Sequence, residues 1–112
     1  MKTFGNIPVE FGNAQEAKIY LTSVPYDETS TWGKGANKGF DAFLKAAENM
    51  ELYDIETDSE VYKQGIYLAD AILEKSSPEA MFKATYERTK ELLETDKFLT
   101  FFGGEHSISI GV

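Results

Sequence analysis

Two apolar runs of strand length constrain this chain most: Lys18–Val24 (KIYLTSV) and Lys97–Phe102 (KFLTFF). Each is stopped by residues that cannot easily extend a sheet, Pro25 after the first and Gly103-Gly104 after the second. Just ahead of the second run, Ser77-Pro78-Glu79 has the chemistry of a helix start. Ser77 can cap, Pro78 suits the first helical position, and Glu79 favours the positive end of the dipole. Phe82, Tyr86, Thr89, Leu92 and Leu93 then mark one face of a helix running to about Thr95. A helix between apolar runs implies a right-handed β-α-β crossover and a parallel sheet.

The rest of the chain fits an α/β alternation. Residues 1 to 17 read as an irregular arm. Tyr26–Gly39 is a loop too long and polar for a mere connection, which points to function. Phe40–Met50 carries Phe40, Phe43, Leu44, Ala47 and Met50 at helical spacing. Leu52, Tyr53 and Ile55 suggest a short strand and Ile66–Ile72 another, with Glu56–Glu60 as a solvated turn between them. A parallel sheet needs both faces covered, yet only two good helices are evident. The chain also reaches Val112 where an apolar segment is starting, so it reads as cut off.

At 112 residues the chain suits one modest core. It has no cysteine, which excludes disulfides, thiolate metal sites and a cysteine nucleophile, and is compatible with a cytoplasmic location. No signal peptide is legible in Met1–Glu10, and no apolar stretch has the length of a membrane span. The net charge of −8 argues against a nucleic-acid partner. It tolerates a cationic small substrate and equally serves ordinary solubility.

The chemistry concentrates in Gly103-Gly104-Glu105-His106-Ser107. An apolar strand delivers this segment to the carboxyl edge of a parallel sheet, where open α/β folds bind ligands. The two glycines let the backbone pass close to a neighbour, and Ser107 could cap a following helix. His106 is the sole histidine. Taken alone it reads either as a surface turn residue or as a metal ligand, and one His with one Glu cannot complete an octahedral Mn²⁺ site.

GGEHS resembles the GG(D/E)HS signature of the ureohydrolases, the family of arginases and agmatinases. Val24-Pro25-Tyr26-Asp27 resembles the family's VP(F/Y)D, and Thr29-Ser30-Thr31-Trp32-Gly33-Lys34-Gly35-Ala36 resembles the loop after it. Gly39-Phe40-Asp41-Ala42 is similar to its G-P-x-A helix start, with Phe40 in place of Pro. Asn49–Asp54 and Ile7-Pro8 are agmatinase-like as well. These segments fall in the family's order over nearly the whole chain.

The resemblance implies a partial parallel sheet with flanking helices, the opening part of an arginase-like three-layer α/β/α fold. Residues 1–112 would form the N-terminal fragment of a single ureohydrolase domain. It further implies two Mn²⁺ ions sharing a hydroxide that attacks a guanidinium carbon, with His106 binding one ion and Glu105 supporting it from behind. Glu105 and the STWGKGA loop favour agmatinase, which converts agmatine and water to putrescine and urea. Arginase, formimidoylglutamase and guanidino-acid hydrolase are the alternatives. The family's DAHxD and DxDxxD motifs, which carry the other ligands, do not occur here, and Asp54–Asp58 reads as a solvated turn. The fragment is therefore expected to hold no catalytic residue, to be metal-free and to be inactive, although the full-length parent would be an enzyme. A free-standing binding module derived from the fold is the other class of reading. Unpaired strand edges lead us to expect self-association of the fragment, and the parent would be a cytoplasmic homo-oligomer.

Overall fold

The computed structural model describes residues 2–112, so Met1, where the N-terminal arm begins, lies outside the described residues. Three strands and two helices carry the fold: β1 (Ile19–Val24), α1 (Gly39–Ala47), β2 (Ile66–Leu68), α2 (Pro78–Leu93) and β3 (Phe98–Gly103). The strands form one parallel sheet in the order β2-β1-β3. β1 is central because its neighbours are reached by two separate helical crossovers, α1 leading to β2 and α2 returning past β1 to β3.

Alternation along the strands sorts the side chains onto two faces. Tyr20 pairs in register with Tyr67 and Leu99, and Thr22 with Phe101. This face packs on α2 through two clusters. Val24, Tyr26, Ile72, Met81 and Ile108 form one, and Ala17, Tyr20 and Leu92 form the other. Phe102 points the opposite way and is covered by Phe40 and Phe43 of α1, with ring centroids 4.9 and 5.0 Å away. The result is a three-layer α/β/α arrangement. The nine-residue α1 covers its face incompletely, leaving Phe98 70% exposed.

Both strongest strand readings match to within a residue, and Ser77 caps α2 as expected, its Oγ accepting the Ala80 amide at 3.0 Å. The inward face of α2 differs in part. Met81, Thr85, Thr89 and Leu92 are buried, whereas Phe82 and Tyr86 stack on each other outside and Leu93 is exposed. Thr89 and Leu92 are thus buried as expected, while Met81 and Thr85 take the inward places expected of Phe82 and Tyr86. Thr89 donates to the Thr85 carbonyl at 2.8 Å, so its hydroxyl is satisfied within the helix.

The expected strand at Leu52–Ile55 is a correction. This stretch joins only an isolated antiparallel bridge, Asp54 to Ser59. The Asp54 carboxylate accepts the Glu56 amide and the Thr57 hydroxyl, which bends the chain into a turn. The solvated reading of Asp54–Asp58 agrees with this. The expected strand Ile66–Ile72 is regular only over Ile66–Leu68, although the Ala69 and Ile72 amides still donate to Leu21 and Ser23. α1 ends at Ala47 rather than Met50. The N-terminal arm is irregular, as expected, and packs against the fold. It folds into two 3₁₀ turns, Phe4–Asn6 and Val9–Phe11, and buries Ile7 and Ala17. No helix among the described residues is long and apolar enough to cross a membrane.

Candidate functional site

The candidate site forms where β1 and β3 end side by side. Val24 and Gly103 are the last paired residues, and beyond them the two chains stay in contact. The Gly104 amide donates to the Val24 carbonyl at 3.1 Å and the Glu105 amide to the Tyr26 carbonyl at 2.8 Å. Gly104 is required by this approach, since a Cβ there would lie 1.9 Å from the Tyr26 oxygen.

Glu105 and His106 follow directly. His106 opens a short 3₁₀ turn, His106–Ile110, and its imidazole is exposed. The side chain of Ile108 anchors this turn in the core. Ser107 does not cap a helix. It sits inside the turn, where its Oγ donates to the Glu105 carboxylate at 2.5 Å. The other donors to that carboxylate come from the β1 side: the Thr29 amide at 2.9 Å and the Thr29 hydroxyl. Burial pushes the Glu105 carboxyl up, but the Ser107 hydroxyl and both Thr29 donors outweigh it and hold the group below the usual carboxylate range. Its hydrogen-bond partners are thus Thr29 and Ser107, not His106.

A second carboxylate holds the far end of the same loop. Asp27 is buried, and its Oδ2 accepts the Gly35 and Ala36 amides at 2.6 and 3.1 Å. Lys34 Nζ donates to the Asp27 and Ser30 carbonyls at 3.2 and 3.5 Å. The Ser30 hydroxyl beside Asp27, then the Gly35 amide, depress its pKa against the upward push of burial, with smaller help from Ala36 and Lys34. Asp27 Oδ1 and Ser30 Oγ are buried without a hydrogen bond of normal geometry. The β1–α1 loop is therefore stapled at both ends. The sequence marks this loop as functional but assigns no task to Asp27 or Thr29: Asp27 finds its partners eight and nine residues on within an irregular loop, and Thr29 meets Glu105 76 residues away.

A pH consequence follows for Asp27. Its folded pKa lies below the unfolded one, so its contribution is complete above the unfolded value of about 4. That contribution is lost as pH falls through the folded value. Fluorescence anisotropy of Trp32, the one tryptophan, should drop over that acid window as the loop loosens. Glu105 is also held below the usual carboxylate range and is bonded to the same loop, so Asp27→Asn should shrink the drop and adding Glu105→Gln should abolish it; an unchanged profile in Asp27→Asn would refute the assignment.

Between Thr29–Trp32 and Glu105–Ser107 lies a cavity of about 320 Å³ that includes His106. Trp32 stands at its lip, 97% exposed. The sequence-derived residues Gly103, Gly104, Glu105, His106 and Ser107 are all brought to this edge. They do not make a metal site by themselves. Among the described residues no three His, Cys, Asp or Glu side chains come together in a ligating group. Glu105, the carboxylate next to the imidazole in sequence, is already occupied by Thr29 and Ser107. No other His, Cys, Asp or Glu among the described residues gathers with the exposed His106 imidazole into such a group.

The three-layer α/β/α fold presents a histidine-bearing segment at the carboxyl edge of its parallel sheet, the edge at which open α/β folds bind ligands. The sequence pattern of the arginase family matches residues 17–112, and the chain belongs to that family. It is 29% identical over 103 residues to the N(1)-aminopropylagmatine ureohydrolase of Synechocystis sp., an alignment covering 87% of this chain and 34% of that protein. The N(1)-aminopropylagmatine ureohydrolase of Thermus thermophilus is 27% identical over 96 residues, covering 85% of this chain and 33% of its own length. The agmatine ureohydrolase structure from Thermoplasma volcanium superposes with a TM-score of 0.81 at 24% identity, covering 89% of this chain and 34% of that one. The chain thus spans about a third of the length of the relatives it matches.

Proposed function

We propose that this chain is the N-terminal part of a Mn²⁺-dependent ureohydrolase of the agmatinase type. The substrate would be a linear guanidine that also carries an amine, agmatine or its N(1)-aminopropyl derivative, cleaved with water to urea and the free amine. The observation that carries this reading is the arginase-family match, which runs through the GGEHS segment at the carboxyl edge of the sheet. The names of the curated relatives favour a guanidino amine over a guanidino acid.

In this reading His106 contributes one metal ligand, and Glu105 fixes the segment that presents it by tying Thr29 to Ser107. The cofactor would be a pair of Mn²⁺ ions whose remaining ligands lie outside these residues. We place the protein in the cytoplasm and expect the parent to be a homo-oligomer. The chain alone is expected to release no urea when supplied with Mn²⁺ and agmatine, whereas the complete gene product should do so and lose both metal occupancy and turnover on His106→Ala. Urea release from the pure 112-residue chain would overturn the fragment reading. Absence of both urea release and metal uptake in the complete product would overturn the enzyme reading.

Both outer strands, β2 and β3, have an unpaired edge within the described sheet. With Phe98 also exposed, we expect the chain to associate with copies of itself in water. Light scattering at micromolar concentration should give a mass above the 12.5 kDa of one chain; a strictly monomeric mass would contradict this.

A further inference from the structure

The loop after β1 combines two properties that rarely occur together. It is held at fixed points, by Glu105 on Thr29 and by Asp27 on Gly35 and Ala36. Yet it presents a bare indole, Trp32, almost entirely to solvent. An exposed indole contributes nothing by burial to the stability of the fold, and at the lip of the cavity its ring face is open to a ligand.

The surroundings narrow the ligand. The cavity between Trp32 and His106 is lined by Thr29, Ser30, Thr31 and Ser107 and by Glu105, whose carboxylate is bonded to Thr29 and Ser107 and puts a negative charge at this edge; the Ser30 hydroxyl itself is buried beside Asp27. Lys34, the nearby cation of the loop, is directed to the Asp27 and Ser30 carbonyls. The chain as a whole carries −8. The face of an indole attracts cations and the apolar stems that bear them.

We infer that Trp32 is a specificity-determining residue, recognising the cationic, non-reacting end of a linear guanidine, and that Glu105 is the positioning residue that holds the loop in place through Thr29. The inference rests on the proposed function for the identity of the reacting end. It adds the residue that distinguishes a guanidine with a terminal ammonium from one with an uncharged tail.

The test uses the 112-residue chain with Trp32 as its own reporter. Agmatine should change Trp32 emission along a saturating curve. 1-Butylguanidine, which lacks the terminal ammonium, should need a concentration about three to five times higher for the same change. By calorimetry Trp32→Ala should weaken agmatine binding by about the same factor, while Trp32→Phe retains part of it because a phenyl face still attracts cations. Glu105→Gln should lower Trp32 anisotropy and erase the preference for agmatine while the far-UV circular dichroism stays that of the wild type. In the complete gene product, Trp32→Ala should raise KM for agmatine more than it lowers kcat, since the contact is made equally in ground and transition states.

Equal responses to the two guanidines, or a Trp32→Ala chain that binds agmatine like the wild type, would overturn the inference. Urea release that ignores Trp32 would overturn it while leaving the proposed function standing. A saturable Trp32-dependent response without urea release from the Mn²⁺-supplied complete product would do the reverse.

Discussion

Replacing Gly104 by alanine is expected to unfold or severely destabilise this chain, by about 3 kcal/mol or more. A Cβ on Gly104 would fall 1.9 Å from the Tyr26 carbonyl oxygen and 2.7 Å from the Tyr26 carbonyl carbon and nitrogen. All three are backbone atoms, so no side-chain rotation relieves the overlap. The Tyr26 backbone cannot retreat without breaking the bonds that define the edge, Gly104 to Val24 and Glu105 to Tyr26. Urea denaturation followed by circular dichroism checks this directly. A Gly104→Ala chain within about 1 kcal/mol of the wild type would show that the two strand ends do not meet as described. The motif glycine therefore has a structural duty in this chain, whatever its part in chemistry.

Tyr26 carries the second large effect, in the form of a contrast between two substitutions. It is the largest of the fully buried side chains and packs with Val24, Ile72, Met81 and Ile108. Tyr26→Ala should cost about 3–5 kcal/mol through lost transfer energy and the cavity left behind. Its hydroxyl, however, is buried without a hydrogen bond of normal geometry. The Thr29 hydroxyl beside it already donates to Glu105, so Tyr26→Phe removes a desolvated polar group without orphaning a donor and should be neutral or slightly stabilising. Thermal melts of both variants separate the cases. A Tyr26→Phe cost above about 1 kcal/mol would indicate that the hydroxyl has a partner after all.

These two residues also show how far reading from residues extends. Both lay in segments marked by resemblance, Val24–Asp27 and Gly103–Ser107. What resemblance did not supply was that one segment's backbone blocks the other's side chain. The same holds for the loop staple, since no local pattern pairs Thr29 with Glu105. Local pattern also misled at Leu52–Ile55, where β-prone residues without a neighbouring strand settle into a turn around the Asp54 carboxylate. On α2, amphipathic counting placed Thr89 and Leu92 correctly but chose Phe82 and Tyr86 where the sheet accepts Met81 and Thr85. Gly111 packs against that face, a Cβ there lying 2.8 Å from the Thr85 Cβ. Close packing selected small side chains over large ones.

By itself, then, the sequence determined the strands β1 and β3, the capped start of α2, the parallel α/β class and the segment bearing His106. Those features rest on short-range preferences: apolar runs, breakers and a serine cap whose partners lie within a few residues. The tertiary structure alone decided which stripe of α2 faces inward, that the loop after β1 is fixed rather than free, and that Glu105 is directed to Thr29. Those depend on contacts between residues distant in the chain, whose free energy is realised only when β1 and β3 lie side by side.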